Sequence, residues 1–181
     1  MDSTKLVISR GNPFSRLMLI GEAPGAMEEQ IGKPFVGRSG LLLNNLLKSS
    51  GINHDKDVYI CNLVKTRPPN NRPPTKKEIS EHLPWLFQQI KLVDPLIIVL
   101  IGSTALRTIL STKTKITELR GVWHKWNGVY VMPIFHPAYL LRNPSKTPGG
   151  PFDLTRLDLL EVWKKHNELK TVLNSSTSFP L

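Results

Sequence analysis

Four residues, Glu22, Phe35, Asn62 and His136, each stand at or beyond an apolar run, and each brings a different chemical capacity. Glu22, in Gly21-Glu22-Ala23-Pro24-Gly25, is a carboxylate placed directly after such a run. Phe35 sits among glycine and proline, where it either stacks on a planar ligand or covers the core. Asn62 carries a donor and an acceptor, enough to read one edge of a base, or else it forms a turn. His136 is held by Pro137 at the end of a core run, and is either structural or poised for a ligand. Arg38-Ser39-Gly40 opens a leucine-rich helix, where a phosphate could take both the guanidinium and free backbone N–H groups. Lys65, Arg67 and Arg72 lie in a proline-stiffened loop, Lys65–Pro74, that suits backbone contacts to nucleic acid. Leu140 and Leu141, next to Arg142, either act as apolar wedges that enter a base stack or start a helix that faces the core.

The elements that must position these residues are legible from periodicity. Leu17–Ile20, Val58–Asn62, Leu96–Ile101 and Val129–Phe135 read as strands, each followed by turn residues. Helical patterns lie between them. Leu41, Leu42, Leu46 and Leu47 form one apolar face. A second helix starts at Thr75 with Glu78 three residues on, a capping box, and stops at Asp94-Pro95. Pro84 inside it predicts a kink or a late start. Ser103 is expected to cap a third helix, Thr104–Leu110, and Leu154–Lys165 reads as a fourth. Such alternation predicts a parallel sheet covered on both faces, with ligands at the carboxyl ends of the strands. The loops Gly21–Gly40, Asn62–Pro74, Gly102-Ser103 and His136–Pro151 are therefore the places to look for a site. With five glycines in twenty residues, Gly21–Gly40 is not expected to hold regular structure. It contains neither a GxxxxGK[ST] nor a GxGxxG pattern.

Composition narrows the function classes. At 181 residues the chain reads as one domain, 1–173, with a polar tail at 174–181. No apolar run approaches the roughly 20 residues of a membrane span, and the first residues lack a secretory pattern. The single cysteine, Cys61, excludes an internal disulfide and a multi-cysteine metal site. A cytoplasmic monomer is the expectation. With 24 Lys+Arg against 14 Asp+Glu, the net charge is +10, which favours a nucleic-acid partner over a merely basic surface.

Taken together and in order, these segments resemble the uracil-DNA glycosylase superfamily, in particular its family 4 branch. The matching motifs are Gly21-Glu22-Ala23-Pro24-Gly25, Gly32-Lys33-Pro34-Phe35-Val36-Gly37-Arg38, Asn62 through Lys65-x-Arg67-Pro68-Pro69, and His136-Pro137-Ala138-Tyr139-Leu140-Leu141-Arg142. The resemblance spans about Gly11 to His166. It implies an α/β fold, a three-layer αβα sandwich on a four-stranded parallel sheet. It also implies DNA, single- or double-stranded and containing uracil, as the partner. Carried over by motif, Phe35 stacks on an extruded uracil and Asn62 bonds its pyrimidine edge, in a pocket that includes Gly21 and Ala23. Glu28 matches the position that crowds C5 against the methyl of thymine. His136 stabilises charge on uracil O2, and Glu22 places or polarises the attacking water. Ala23 stands where other branches carry a water-activating Asp or Asn. Arg38, Ser39, Lys65, Arg67, Leu140, Leu141 and Arg142 fall to the DNA-facing side.

The resemblance also implies a [4Fe–4S] cluster on four cysteines, from which this sequence departs. Two belong to a Cys-x-x-Cys that would precede the present N-terminus, the third position is Thr66 and the fourth is His82. No cluster, metal or other cofactor is expected, with Thr66 and His82 packing or hydrogen-bonding in its place. The implied activity is hydrolysis of the N-glycosidic bond of deoxyuridine, leaving an abasic site without lyase chemistry. Two alternatives stand beside it: a non-catalytic DNA- or base-binding homologue, and a glycosylase for another deaminated base such as hypoxanthine or xanthine.

Overall fold

The computed structural model describes residues 5–176. Its centre is a six-stranded sheet of β1 (Arg10–Gly11), β2 (Leu17–Gly21), β3 (Tyr59–Asn62), β4 (Ile97–Ile101), β5 (His124–Trp126) and β6 (Val129–Ile134), in the order β1-β3-β2-β4-β6-β5. The four central strands pair in parallel. The two edge strands pair antiparallel, β1 with β3 and β5 with β6. The expected four-stranded parallel sheet is thus corrected to a mixed sheet of six. Both additional strands are only two or three residues long and lack an apolar run, so periodicity cannot reveal them.

Strand residues alternate between two apolar clusters. Leu17, Leu19, Ile97, Val99, Met132 and Ile134 face one side. Met18, Ile20, Ile98, Leu100 and Val131 face the other. Both faces are covered, which is why the central strands read as continuous apolar runs. The first face packs against α2 (Arg38–Ser49), α6 (Pro137–Arg142) and α7 (Pro151–Ser176), through Leu43, Leu46, Leu47, Leu140, Leu159 and Val162. The second packs against α3 (Lys76–Val93) and α4 (Ser103–Leu110), through Leu86, Ile90, Val93, Ala105 and Ile109.

Several boundaries differ from expectation. The Gly21–Gly40 loop holds a six-residue helix, α1 (Ala26–Ile31), closed by Gly32 at φ 82°. Ser103 is the first residue of α4 and not its cap; Gly102, at φ 89°, occupies that place. The Thr75–Glu78 capping box opens α3, with Glu78 N–H donating to Thr75 Oγ1 at 3.2 Å and Thr75 N–H donating to Glu78 Oε2 at 2.7 Å. Pro84 lies within that helix, which is unbroken across 18 residues, so the late start does not occur. The last helix begins earlier, with Pro151 at its first position, and runs to Ser176. Residues 174–176 of the expected tail are therefore helical, and 177–181 lie outside the described residues. A short α5 (Ile116–Leu119) precedes β5. Among the described residues no helix is long and apolar enough to cross a membrane.

Candidate active site

The chain leaves β2 toward β3 on one side and leaves β4 toward β6 on the other. The carboxyl ends of β2 and β4 therefore flank a topological switch point, where open α/β sheets hold ligands. Glu22, Asn62 and His136, which follow or end three parallel strands, meet there with Phe35 around a cavity of about 460 Å³. Ala23, Glu28, Arg38 and Ser39 line the same cavity. This is within the size range of small-molecule sites.

Phe35 forms one wall, and its backbone explains how it is held there. It stands at φ 54°, a left-handed conformation that a bulky residue adopts only when its surroundings impose it. Three contacts do so. Arg10 Nε donates to Pro34 O at 2.8 Å and its Nη2 donates to Phe35 O at 3.3 Å. The same guanidinium is braced by Asn44 Oδ1 at 2.6 Å. Helix α2 closes on the other side, where a Cβ on Gly40 would lie 1.8 Å from Phe35 O. The ring then sits over the end of β2. A Cβ on Gly21 would lie 2.4 Å from Phe35 Cζ and 2.5 Å from Asn62 Oδ1. Gly21 does not line the cavity; its missing side chain is the space in which Phe35 and Asn62 meet.

Asn62 is 1 % exposed, and its Oδ1 is buried without a hydrogen-bond partner among the described residues. An orphaned buried acceptor costs about 1–3 kcal/mol, so its retention at a cavity wall fits a ligand donor. Its backbone carbonyl takes Lys65 Nζ at 2.6 Å, and Leu63 N–H donates to Gly21 O at 2.9 Å.

His136 lines the same cavity, its ring centroid 6.0 Å from that of Phe35. Nδ1 accepts the Ala138 N–H at 3.1 Å, capping α6. That bond requires a bare Nδ1 and so places the imidazole proton on Nε2. Burial, and next the charge of Arg142, lower its pKa to about 4, so the ring is a neutral donor near pH 7.

Two carboxylates complete the wall. Glu28 Oε1 accepts Val36 N–H at 3.0 Å and Gly37 N–H at 2.8 Å, folding the Phe35 loop back on α1. Glu22 Oε2 accepts a short hydrogen bond from Thr104 Oγ1 on α4. Glu22 and His136 also border a second cavity of about 510 Å³ that continues toward Thr104, Tyr139 and Arg142.

The expected DNA-facing residues divide. Arg38 and Arg142 are exposed, Ser39 is half-buried in the first turn of α2, and Leu141 is 38 % exposed. Lys65 is corrected: it is 2 % exposed, with Nζ donating to Asn62 O and to Gln89 Oε1 inside the fold. Its ammonium is tied to the Asn62 strand end and is not presented at the surface. Leu140 is also corrected, since it is 2 % exposed and packs in the core against the sheet. Arg67 bridges Glu29 at 3.2 Å and Asn71 Oδ1 at 2.8 Å, tying its loop to α1. Asn71 and Arg72 line the cavity as well, the latter paired with Glu78 at 2.8 Å. Sequence reading singled out neither Arg10 nor Thr104 as a site residue, although Thr104 directly follows the Gly102-Ser103 loop; their partners Phe35 and Glu22 are brought to them by the fold.

The residues do not fit an iron–sulfur cluster. Cys61 is the single cysteine of the sequence and is buried in β3, where burial pushes its thiol up to about 11. At the two expected ligand positions, Thr66 Oγ1 and His82 Nε2 are 3.4 Å apart, and His82 Nδ1 accepts the Lys65 N–H at 3.2 Å. Neutral oxygen and nitrogen donors that already bond each other do not replace thiolates.

An α/β domain with a cavity of about 460 Å³ at its switch point is what the fold and site define. The family model for the uracil DNA glycosylase superfamily matches residues 8–165, and the chain belongs to that superfamily. It is 43 % identical over 172 residues to a type-4 uracil-DNA glycosylase of Thermotoga maritima, covering 94 % of this chain and 86 % of that protein. It is 41 % identical over 151 residues to a type-4 uracil-DNA glycosylase of Sulfurisphaera tokodaii, covering 78 % of this chain and 68 % of that protein. A DNA polymerase of Bacillus phage SP01 matches at 34 % identity over 136 residues, covering 75 % of this chain and 15 % of that protein.

Proposed function

We propose that this protein is a monofunctional uracil-DNA glycosylase that binds uracil in the Phe35–Asn62–His136 cavity. The observation that carries the reading is the pairing of an orphaned buried acceptor, Asn62 Oδ1, with a neutral Nε2–H donor on His136 across one cavity. Uracil offers the complement, an N3–H donor beside carbonyl acceptors. Asn62 Oδ1 accepts N3–H and its amide nitrogen donates to O4, while Phe35 stacks on the ring. Relatives named as type-4 uracil-DNA glycosylases support the same substrate.

Breaking the N-glycosidic bond leaves an oxocarbenium-like sugar and an anionic base. His136 Nε2–H donates to O2, where negative charge grows. A prearranged donor of this kind is worth about 3 kcal/mol in the transition state. A neutral imidazole suits the task because it remains a donor without having to lose a proton. Glu22 orders the water that adds to the sugar cation, which is reactive enough to need little activation. Glu28 stands at the gate, where the methyl of thymine is excluded.

The base must first leave the duplex, at a cost of a few kcal/mol. Arg38, Ser39 and Arg142 contact the DNA backbone, and Leu141 enters the stack behind the extruded base. Release yields free uracil and an abasic site, with the protein acting as a monomer and without a metal. Around the implied cluster positions, the Thr66–His82–Lys65 contacts anchor the loop instead.

Incubation with uracil-containing single- and double-stranded oligonucleotides, followed by hot alkali, tests the reading. Alkali-labile sites at uracil are expected. DNA binding without such sites would favour a non-catalytic homologue, and sites at hypoxanthine alone would move the substrate to another deaminated base.

A further inference from the structure

We propose that Thr104 is a positioning residue that aims the Glu22 carboxylate at the attacking water. The inference rests on the reading of Glu22 given above and extends it to a residue on another element. Glu22 Oε2 accepts the Thr104 hydroxyl, while Oε1 makes no hydrogen bond among the described residues, and Glu22 borders both cavities. One oxygen is therefore fixed, and the other is left without a hydrogen-bond partner among the described residues.

Both ends of this contact are anchored. The Glu22 carbonyl accepts Val64 N–H at 3.2 Å, which ties its backbone to the segment after β3. Thr104 lies in the first turn of α4, whose Ala105, Leu106 and Ile109 are buried. Gly102 N–H donates to Ile134 O at 3.0 Å, locking the start of α4 to β6. A Cβ on Gly102 would lie 3.0 Å from His136 Cβ, so α4 begins in contact with the histidine as well. Thr104 is β-branched, and a helix leaves its hydroxyl few orientations. Glu22, by contrast, has three rotatable side-chain bonds and would otherwise sweep a cavity of about 510 Å³. The hydroxyl thus converts a mobile carboxylate into an oriented one, and a misplacement near 1 Å at a reacting group can cost about a hundredfold in rate.

Single-turnover excision and DNA affinity would be measured for the wild type, Thr104→Val, Thr104→Ala, Thr104→Ser, Glu22→Gln and Thr104→Val/Glu22→Gln. Valine and alanine should slow excision about tenfold or more with DNA affinity within about twofold of wild type. Serine should restore most of the rate, and the double variant should be no slower than Glu22→Gln alone. Wild-type rates for both valine and alanine beside an impaired Glu22→Gln would overturn the role of Thr104. So would multiplicative losses in the double variant, or a serine variant as slow as valine. A Glu22→Gln protein with the wild-type rate would instead overturn the reading of Glu22 itself.

Discussion

Arg10 holds Phe35 by its backbone, with Nη2 at 3.3 Å from the Phe35 carbonyl and Nε at 2.8 Å from that of Pro34. The clamp comes from the shortest strand of the sheet and reaches across 25 residues of sequence. It opposes the strain of a phenylalanine at φ 54°. Replacing Arg10 by methionine keeps most of the apolar stem but strips donors from two buried carbonyls and from Asn44. Denaturant unfolding should show a loss of about 2–3 kcal/mol, and excision should fall with it as Phe35 leaves the base-stacking position.

Gly21→Ala isolates the pocket from the rest of the fold. The added methyl would meet Phe35 Cζ at 2.4 Å and Asn62 Oδ1 at 2.5 Å, and the ring is the group that can shift into the cavity. Excision is expected to fall at least about tenfold, with nonspecific DNA affinity unchanged. A filter-binding titration beside a single-turnover assay separates the two quantities.

Two buried histidines make the fold sensitive to mild acid. His136 and His166 both have pKa values lowered to about 4, primarily by burial. The unfolded chain takes up their protons at a higher pH than the folded one. Their contribution is full above about pH 6.5 and is lost as pH falls toward 4. Unfolding midpoints should drop across that window, and His166→Phe, which keeps a ring against Trp163 at 5.3 Å, should flatten the drop.

Iron and acid-labile sulfide assays on fresh protein should find no cluster, and a chelator should leave excision unchanged. His82→Ala removes the acceptor of Lys65 N–H and the Nε2–H donor to Thr66 Oγ1, and should destabilise the protein by about 1 kcal/mol. Several irons per chain would contradict the assignment of Thr66 and His82 as a hydrogen-bonded pair.

Much of the site is legible in the sequence because its members lie at the ends of apolar runs: Glu22, Asn62 and His136 each end or follow a strand whose buried residues announce it. Lys65 shows where that reasoning stops. A lysine in a proline-rich loop reads as exposed, yet the turn after β3 aims it inward, where Asn62 O and Gln89 replace water. Leu140 and Leu141 are indistinguishable by composition, and only the helical register of α6 sends one to the core and the other outward. Arg10 carries no local signal, and Thr104 only its place after the Gly102-Ser103 loop, since each is defined by a partner brought near through the sheet. The edge strands β1 and β5 escape for a related reason: their pairing, not their composition, makes them strands.

The central claim is that Asn62 and His136 act on a uracil held by Phe35. Single-turnover release of uracil from duplex oligonucleotides by wild type, Asn62→Ala and His136→Ala, with DNA affinity measured on the same substrates, tests it most directly. The account predicts efficient release by the wild type and a loss of about a hundredfold or more in each variant, with affinity for undamaged DNA preserved. No release by the wild type, or release by both variants at the wild-type rate, would contradict it.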